Sequence, residues 1–239
     1  MKNGQRLSAL EAAKKFIEEY FPTCDAALLA GSVVRGEATA TSDLDIVIFN
    51  ESLPNCYRES MVVFDWPIEV FVHNLTTYKQ YIESDKKRAR PSLPRMVTEG
   101  IVMKDNGRLI EIKKEAKALL AKGPDKWSAQ TIQMKLYFIT DTLDDFLGAT
   151  DRAEEIFIAN ALAEHIHEFV LRTNNQWVGS SKWVIRALKQ YDEAFTASFI
   201  DAFDSFYKTG EKSKVEILVD AVLAPYGGRL FAGFSIGKN

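Results

Sequence analysis

The chain has 239 residues, a formal net charge of −3 and two cysteines, Cys24 and Cys56. Its 46% apolar and 26% charged residues exclude a collagen, a low-complexity chain or a disordered one, and its length suits one large domain or two modest ones. The charge balance argues against a protein that coats nucleic acid through bulk charge, and so few thiols predict a reduced compartment with two structural cysteines rather than a disulfide scaffold.

Leu7, Leu10, Phe16, Ile17 and Tyr20 recur at helical spacing and predict a helix over 5–20, ended near Pro22. Ala26–Ala30 reads as a short apolar strand stopped by Gly31. A loop or one-turn helix follows through Gly36 and Thr39, and then a strand over Asp43–Phe49. Met61–Phe64 and Ile68–Val72 read as two strands joined across Asp65-Trp66-Pro67. Residues 75–90 are polar and helical, broken by Pro91 and Pro94. Ile101–Lys104 reads as a strand turned at Asp105-Asn106-Gly107, and Ile110, Ala116, Leu119 and Leu120 place a helix running to Lys122.

After Gly123-Pro124 the character changes. Residues 128–147, 151–172, 181–191, 193–207 and 212–224 all read as helices, with Asp151 and Glu154 spaced as a capping box. The fold class expected is α+β, with a small mixed sheet in the first half and an all-α helical bundle in the second. The expected domains are 1–123 and 124–239. The first twenty residues carry too many charges for a targeting segment. The longest apolar runs fall far below the roughly 18 residues of a membrane span, so a cytoplasmic location is expected.

The stretch that carries chemistry runs from Leu28 to Ile48: LLAGSVVRGEATATSDLDIVI. Residues i and i+2 of a strand share a face, so Asp43 and Asp45 present two carboxylates side by side. Like charges so close repel, an arrangement that makes sense around a divalent cation, and hard oxygen ligands suit Mg²⁺. Upstream, Gly31 lets a ligand approach the backbone. The Ser32 hydroxyl and free amides at a following helix start would hold phosphate oxygens, and Arg35 adds positive charge. A two-metal clamp on a phosphoryl group needs a further carboxylate. Glu69 interrupts the apolar strand Ile68–Val72, where an unpaired acid is costly, and is the candidate.

The Gly-Ser, Arg-Gly and Ser-Asp-Leu-Asp pattern resembles the signature of the DNA polymerase β-like nucleotidyltransferase superfamily. The resemblance implies that Gly31 and Ser32 hold a nucleoside triphosphate, and that Asp43, Asp45 and Glu69 bind two Mg²⁺ ions; Arg35 and Ser42 join the nucleotide-binding set. An α+β half followed by a helical half resembles the two-domain aminoglycoside nucleotidyltransferases of the streptomycin and kanamycin types. Residues 173–183 (TNNQWVGSSKW) are similar to a Ser-Lys stretch in the streptomycin-type enzymes, which implies that Lys182 reaches the triphosphate. Ser181-Lys182 would open a helix, where amides and dipole attract anions; an ordinary Ser cap with a solvated Lys explains the same residues.

On residues 128–147, Ile132, Leu136, Ile139, Leu143 and Phe146 form one stripe, with Tyr137, Asp141, Asp144 and Asp145 off it. These acids oppose the helix dipole. They suit either a solvated face or a surface for a polyamine-like sugar. His165 and His167 lie about 200° apart on a helix and cannot chelate one metal from one face. The tryptophans at 66, 127, 177 and 183 read as packing, and Lys86, Lys87, Arg88 and Arg90 as a solvated helix end.

The expected activity is transfer of a nucleoside monophosphate from an NTP, ATP by preference, to a hydroxyl of a small molecule such as an aminoglycoside-like antibiotic. Pyrophosphate would be released. The expected partners are therefore the NTP and a small hydroxylated acceptor, with neither a membrane nor a nucleic acid. The alternatives are a protein or RNA acceptor, or a non-catalytic nucleotide-binding or antitoxin-like module on the same fold. Near-neutral charge argues against RNA, and the intact Gly-Ser and Asp-x-Asp argue against a module without activity.

Overall fold

The computed structural model describes residues 6–237, and the chain divides into two compact units between Gly123 and Pro124. The first is α+β. In chain order it contains α1 (Ala9–Tyr20), β1 (Ala26–Ala30), β2 (Leu44–Phe49), β3 (Tyr57–Val63), β4 (Trp66–His73), α2 (Leu75–Lys87), α3 (Ser92–Glu99), β5 (Ile101–Asp105) and α4 (Leu109–Lys122). The strands form one sheet in the order β3-β4-β2-β1-β5. It is mixed, because β2 and β4 run parallel while every other neighbouring pair is antiparallel.

Alternation along the central strands separates two cores. Ala27, Leu29, Ile46, Ile48, Val70 and Val72 pack with Ala12, Ala13, Phe16 and Ile17 of α1. Ala26, Leu28, Val47 and Phe49 face the other way, against Tyr78, Leu93, Val97, Leu109 and Ile112 of α2, α3 and α4. Because both faces are covered, β1 is buried along its whole length, and its sequence is a continuous apolar run rather than an alternating one. The free Cys24 is buried in the first core; Cys56, also free, is partly exposed.

Three elements depart from the sequence expectation. The β3–β4 hairpin turns at Phe64-Asp65, not across residues 65–67, and β3 begins four residues earlier, at Tyr57. Both turn residues have positive φ, 55° and 60°. A two-residue turn of that hand matches the twist of its strands, but its usual sequence is Asn-Gly or Asp-Gly, so Phe-Asp gives no warning. The helix expected over 75–90 does break before Pro91, but already at Lys87, and the prolines open a further helix: Pro91 is the N-cap of α3 and Pro94 lies in its first turn, where no intrahelical N–H bond is lost. Asp43 sits one residue before β2, not within it. Residue 5 of the first predicted helix lies outside the described residues, and α1 itself is opened by a reciprocal Ser8–Glu11 capping box.

The second unit contains α5 (Ala129–Gly148), α6 (Arg152–Thr173), α7 (Trp183–Tyr191), α8 (Glu193–Thr209) and α9 (Ser213–Leu223), then a 3₁₀ turn at Ala224–Tyr226. No strand occurs among its described residues. Leu136, Ile139, Leu143 and Phe146 of the predicted stripe are buried on α5. Asp151 caps α6, accepting from the N–H groups of Ala153 and Glu154. The acidic end of α5 has no basic residue in its last turn; instead Lys212 reaches in, donating to the Ala149 carbonyl at 2.6 Å and pairing with Glu155 at 2.9 Å. No helix among the described residues is long and apolar enough to cross a membrane.

Candidate active site

The site is built on one cross-strand row. In the sheet register Ser60 of β3 stands opposite Glu69 of β4, Glu69 opposite Asp45 of β2, and Asp45 opposite Ala30 of β1. Residues opposite one another in adjacent strands share a face. The parallel pairing of β2 with β4 is thus what brings two acids 24 positions apart in sequence side by side. Asp43, two residues before Asp45, joins them. Asp43, Asp45 and Glu69 each offer a carboxylate oxygen, and all three oxygens lie within 4.8 Å of one another. This is the one such acidic or metal-ligating cluster among the described residues.

Gly31 follows the row and lets it close. Its φ is +81°, and a Cβ placed there would come 1.9 Å from Asp45 Oδ2. Any side chain at 31 would displace the carboxylate and strain the backbone. From Gly31 the chain continues through turns to residue 36, not into a helix. The loop is closed by Ser32, whose hydroxyl donates to Ser42 Oγ at 3.2 Å, and Ser42 Oγ also accepts from the Thr39 amide at 2.8 Å. Ser42 is therefore a clasp of this loop. Arg35 pairs with Glu37 at 3.1 Å and with Glu99 of α3 at 3.3 Å.

Burial, and then the charges of Asp43 and Glu69, push the Asp45 carboxyl up to about 6, while Arg35 and Arg58 pull it the other way. Burial sets most of this shift, and the part that comes from neighbouring carboxylates is what a bound cation would relieve. Three hard oxygen donors converging on one point fit Mg²⁺, which takes carboxylates and shares its remaining positions with water and substrate phosphates.

Residues 10–157, more than half of the chain, match the family model described as a nucleotidyltransferase domain. The chain belongs to this family. The nucleotidyltransferase is also similar in structure to a nucleotidyltransferase-like protein from Exiguobacterium sibiricum 255-15, with a TM-score of 0.46 and 10% sequence identity over 91% of this chain and 75% of that one. No curated protein matches its sequence.

The structure thus brings Gly31, Ser32, Ser42, Asp43, Asp45 and Glu69 of the predicted set together, with Arg35 on the same loop. Lys182 belongs to the second unit, where it is the N-cap of α7 and makes no side-chain cap bond; Ser181 before it has a φ of +52°. His167 is buried, with Nδ1 3.1 Å from the Ala163 carbonyl. Trp66 donates to the Leu7 carbonyl at 2.8 Å and Trp177 is buried, in line with packing roles. Arg88 pairs with Asp85 and Lys86 with Glu83 at the end of α2.

Two residues at the site escaped the sequence reading. Arg58 and Ser60 both donate to Glu69 Oε1, from Nε at 2.7 Å and from Oγ at 3.2 Å. The period-two run Arg58, Ser60, Val62 was the available signal. It is hidden unless the strand is extended back to Tyr57.

Proposed function

We propose that this nucleotidyltransferase moves a nucleoside monophosphate from an NTP, ATP being the first candidate, to a hydroxyl of a small acceptor. The observation that carries the reading is the row of Asp43, Asp45 and Glu69, with ligand oxygens within 4.8 Å, beside a loop that only a glycine at 31 can enter. In the reaction the acceptor oxygen forms a bond to the α-phosphorus, the bond to the bridging oxygen breaks, and pyrophosphate leaves. The acceptor proton passes to a carboxylate of the site or to water.

Asp43 and Asp45 would hold the metal, with Glu69 as a further ligand, a general base, or both. Bound there, Mg²⁺ would offset charge on the transferring phosphoryl group. Gly31 and Ser32 present backbone and hydroxyl to the phosphates, and Arg35 adds charge beside them. Lys182 is assigned to the triphosphate. By this reading 1–123 is the catalytic domain and 124–239 the helical domain that holds the acceptor.

An aminoglycoside-like polycation is the leading acceptor. It is supported by the exposed, acidic Asp141, Asp144 and Asp145 on α5. A neutral hydroxylated acceptor is the second reading. The second unit has a cavity of about 320 Å³ lined by Gln130, Thr131, Gln133 and Met134 with Leu230 and Phe234 of the C-terminal stretch, and none of these residues is charged.

The test is pyrophosphate release with a panel of NTPs and acceptors, with and without Mg²⁺, and the mass of the product. Metal-dependent release that gains one nucleoside monophosphate on a small acceptor supports the proposal. Nucleotide added only to protein or RNA, or release that survives in Asp45→Asn, overturns it.

A further inference from the structure

Glu69 is placed unlike its two partners. Asp43 and Asp45 lie toward the middle of the sheet, whereas Glu69 has the edge strand β3 on its other side. From that edge come Ser60, directly opposite, and Arg58, two residues earlier on the same face. All their bonds converge on one oxygen: Oε1 takes Arg58 Nε at 2.7 Å, an Arg58 terminal nitrogen at 2.5 Å and Ser60 Oγ at 3.2 Å. The Arg58 guanidinium also lies over the Phe71 ring, 4.9 Å from its centroid, so the fork is held although its side chain is 62% exposed.

Water screens the pair from the Arg58 side, 62% exposed against 17% for Glu69, which limits what it contributes to folding. Its geometry suits another task. Three carboxylates within 4.8 Å repel, and without a metal Glu69 would relieve that repulsion by turning away. Two donors on Oε1 anchor the carboxylate by that oxygen, which would leave Oε2 as the oxygen offered to a metal.

We infer that Arg58 and Ser60 are positioning residues of this enzyme, which hold Glu69 so that it meets the metal through one oxygen. The inference rests on the metal reading of the triad above. Partners that orient metal-binding carboxylates commonly contribute 10–100-fold in metal affinity or activity.

The charge of Arg58 makes the test decisive in sign. Near a cation site, deleting a positive charge removes Coulomb repulsion and should by that alone tighten metal binding. Loss of positioning does the opposite. Mn²⁺, a spectroscopic stand-in for Mg²⁺ with oxygen ligands, is titrated into the full chain, free Mn²⁺ being read by electron paramagnetic resonance. The wild type, Arg58→Gln, Arg58→Lys, Ser60→Ala and Asp45→Asn are compared, with melting curves to show that each folds.

Arg58→Gln should bind Mn²⁺ about 10-fold more weakly than the wild type despite the lost charge, and Ser60→Ala should shift the same way by less. Arg58→Lys should fall between, because an ammonium can still donate to Glu69 Oε1 but lacks the two-nitrogen fork that fixes it. In turnover, kcat should fall more than the KM for nucleotide rises. Arg58→Gln or Ser60→Ala binding Mn²⁺ as tightly as the wild type, or more tightly, overturns the inference while leaving the metal site standing. A wild type whose Mn²⁺ binding is absent, or unchanged in Asp45→Asn, overturns the metal reading and this inference together.

Discussion

Asp45→Asn should stabilise the metal-free protein while abolishing transfer. Asp45 is raised from 3.8 to about 6 by burial and by the Asp43 and Glu69 charges. At 1.36 kcal/mol per unit, a shift of about two units costs the ionised native state about 3 kcal/mol. This is an upper bound, because Asp45 keeps some contact with water that screens it; about 1–3 kcal/mol is expected. Between about pH 4 and pH 6 the unfolded chain has released this proton and the folded one still holds it. The native state therefore loses stability as pH rises through that window, and the full cost stands above it. Below pH 4 the group is protonated in both states and contributes nothing. Asn cannot ionise, so the difference between variant and wild type should be near zero at pH 3.5 and reach its full value by pH 7.5. Urea melts in chelator at several pH values measure it; carboxylates away from the triad cancel in the difference, while Asp43 and Glu69 also gain from the lost repulsion. Adding Mg²⁺ should then stabilise the wild type, by about 2.7 kcal/mol at 100 times its dissociation constant, and leave the variant nearly unchanged. A variant less stable than the wild type at pH 7.5 without metal, or a gap that does not change with pH, refutes the reasoning.

Gly31→Ala should cost activity and stability together: its Cβ would meet Asp45 Oδ2 at 1.9 Å and its φ is +81°, and the left-handed backbone alone costs roughly 1–2 kcal/mol. Melting curves and metal titration check it, and unchanged Mn²⁺ affinity would mean that Asp45 is not a ligand. Glu69→Gln should lower kcat by at least 100-fold with a smaller change in nucleotide KM; steady-state kinetics with varied NTP decide, and a pure KM effect would remove Glu69 from the chemical step. If the acceptor is polycationic, joint Asn substitution of Asp141, Asp144 and Asp145 should raise acceptor KM. The effect should shrink with salt, because exposed charges are screened over about 10 Å at 0.1 M ionic strength; a variant with unchanged KM and a higher melting point would mark these acids as a solvated face.

Much was legible along the chain because local physics decides it. The apolar run Ala26–Ala30, the helical periodicity of 9–20 and the change of character at Gly123-Pro124 rest on patterns that tertiary structure reinforced. Gly31, Asp43 and Asp45 could be read together because a strand, a glycine turn and a second strand place them within fifteen residues. Glu69 could be read as an acid out of place in an apolar strand. What sequence could not determine was its neighbour. Only the parallel pairing of β2 with β4 sets Glu69 opposite Asp45, and a slip of one residue would point it to the other face. The same holds for Arg58 and Ser60. Their approach depends on a turn at Phe64-Asp65 whose positive φ angles no local preference requires, so the hairpin's register, and with it the hold on Glu69, is decided by the packing of the whole sheet.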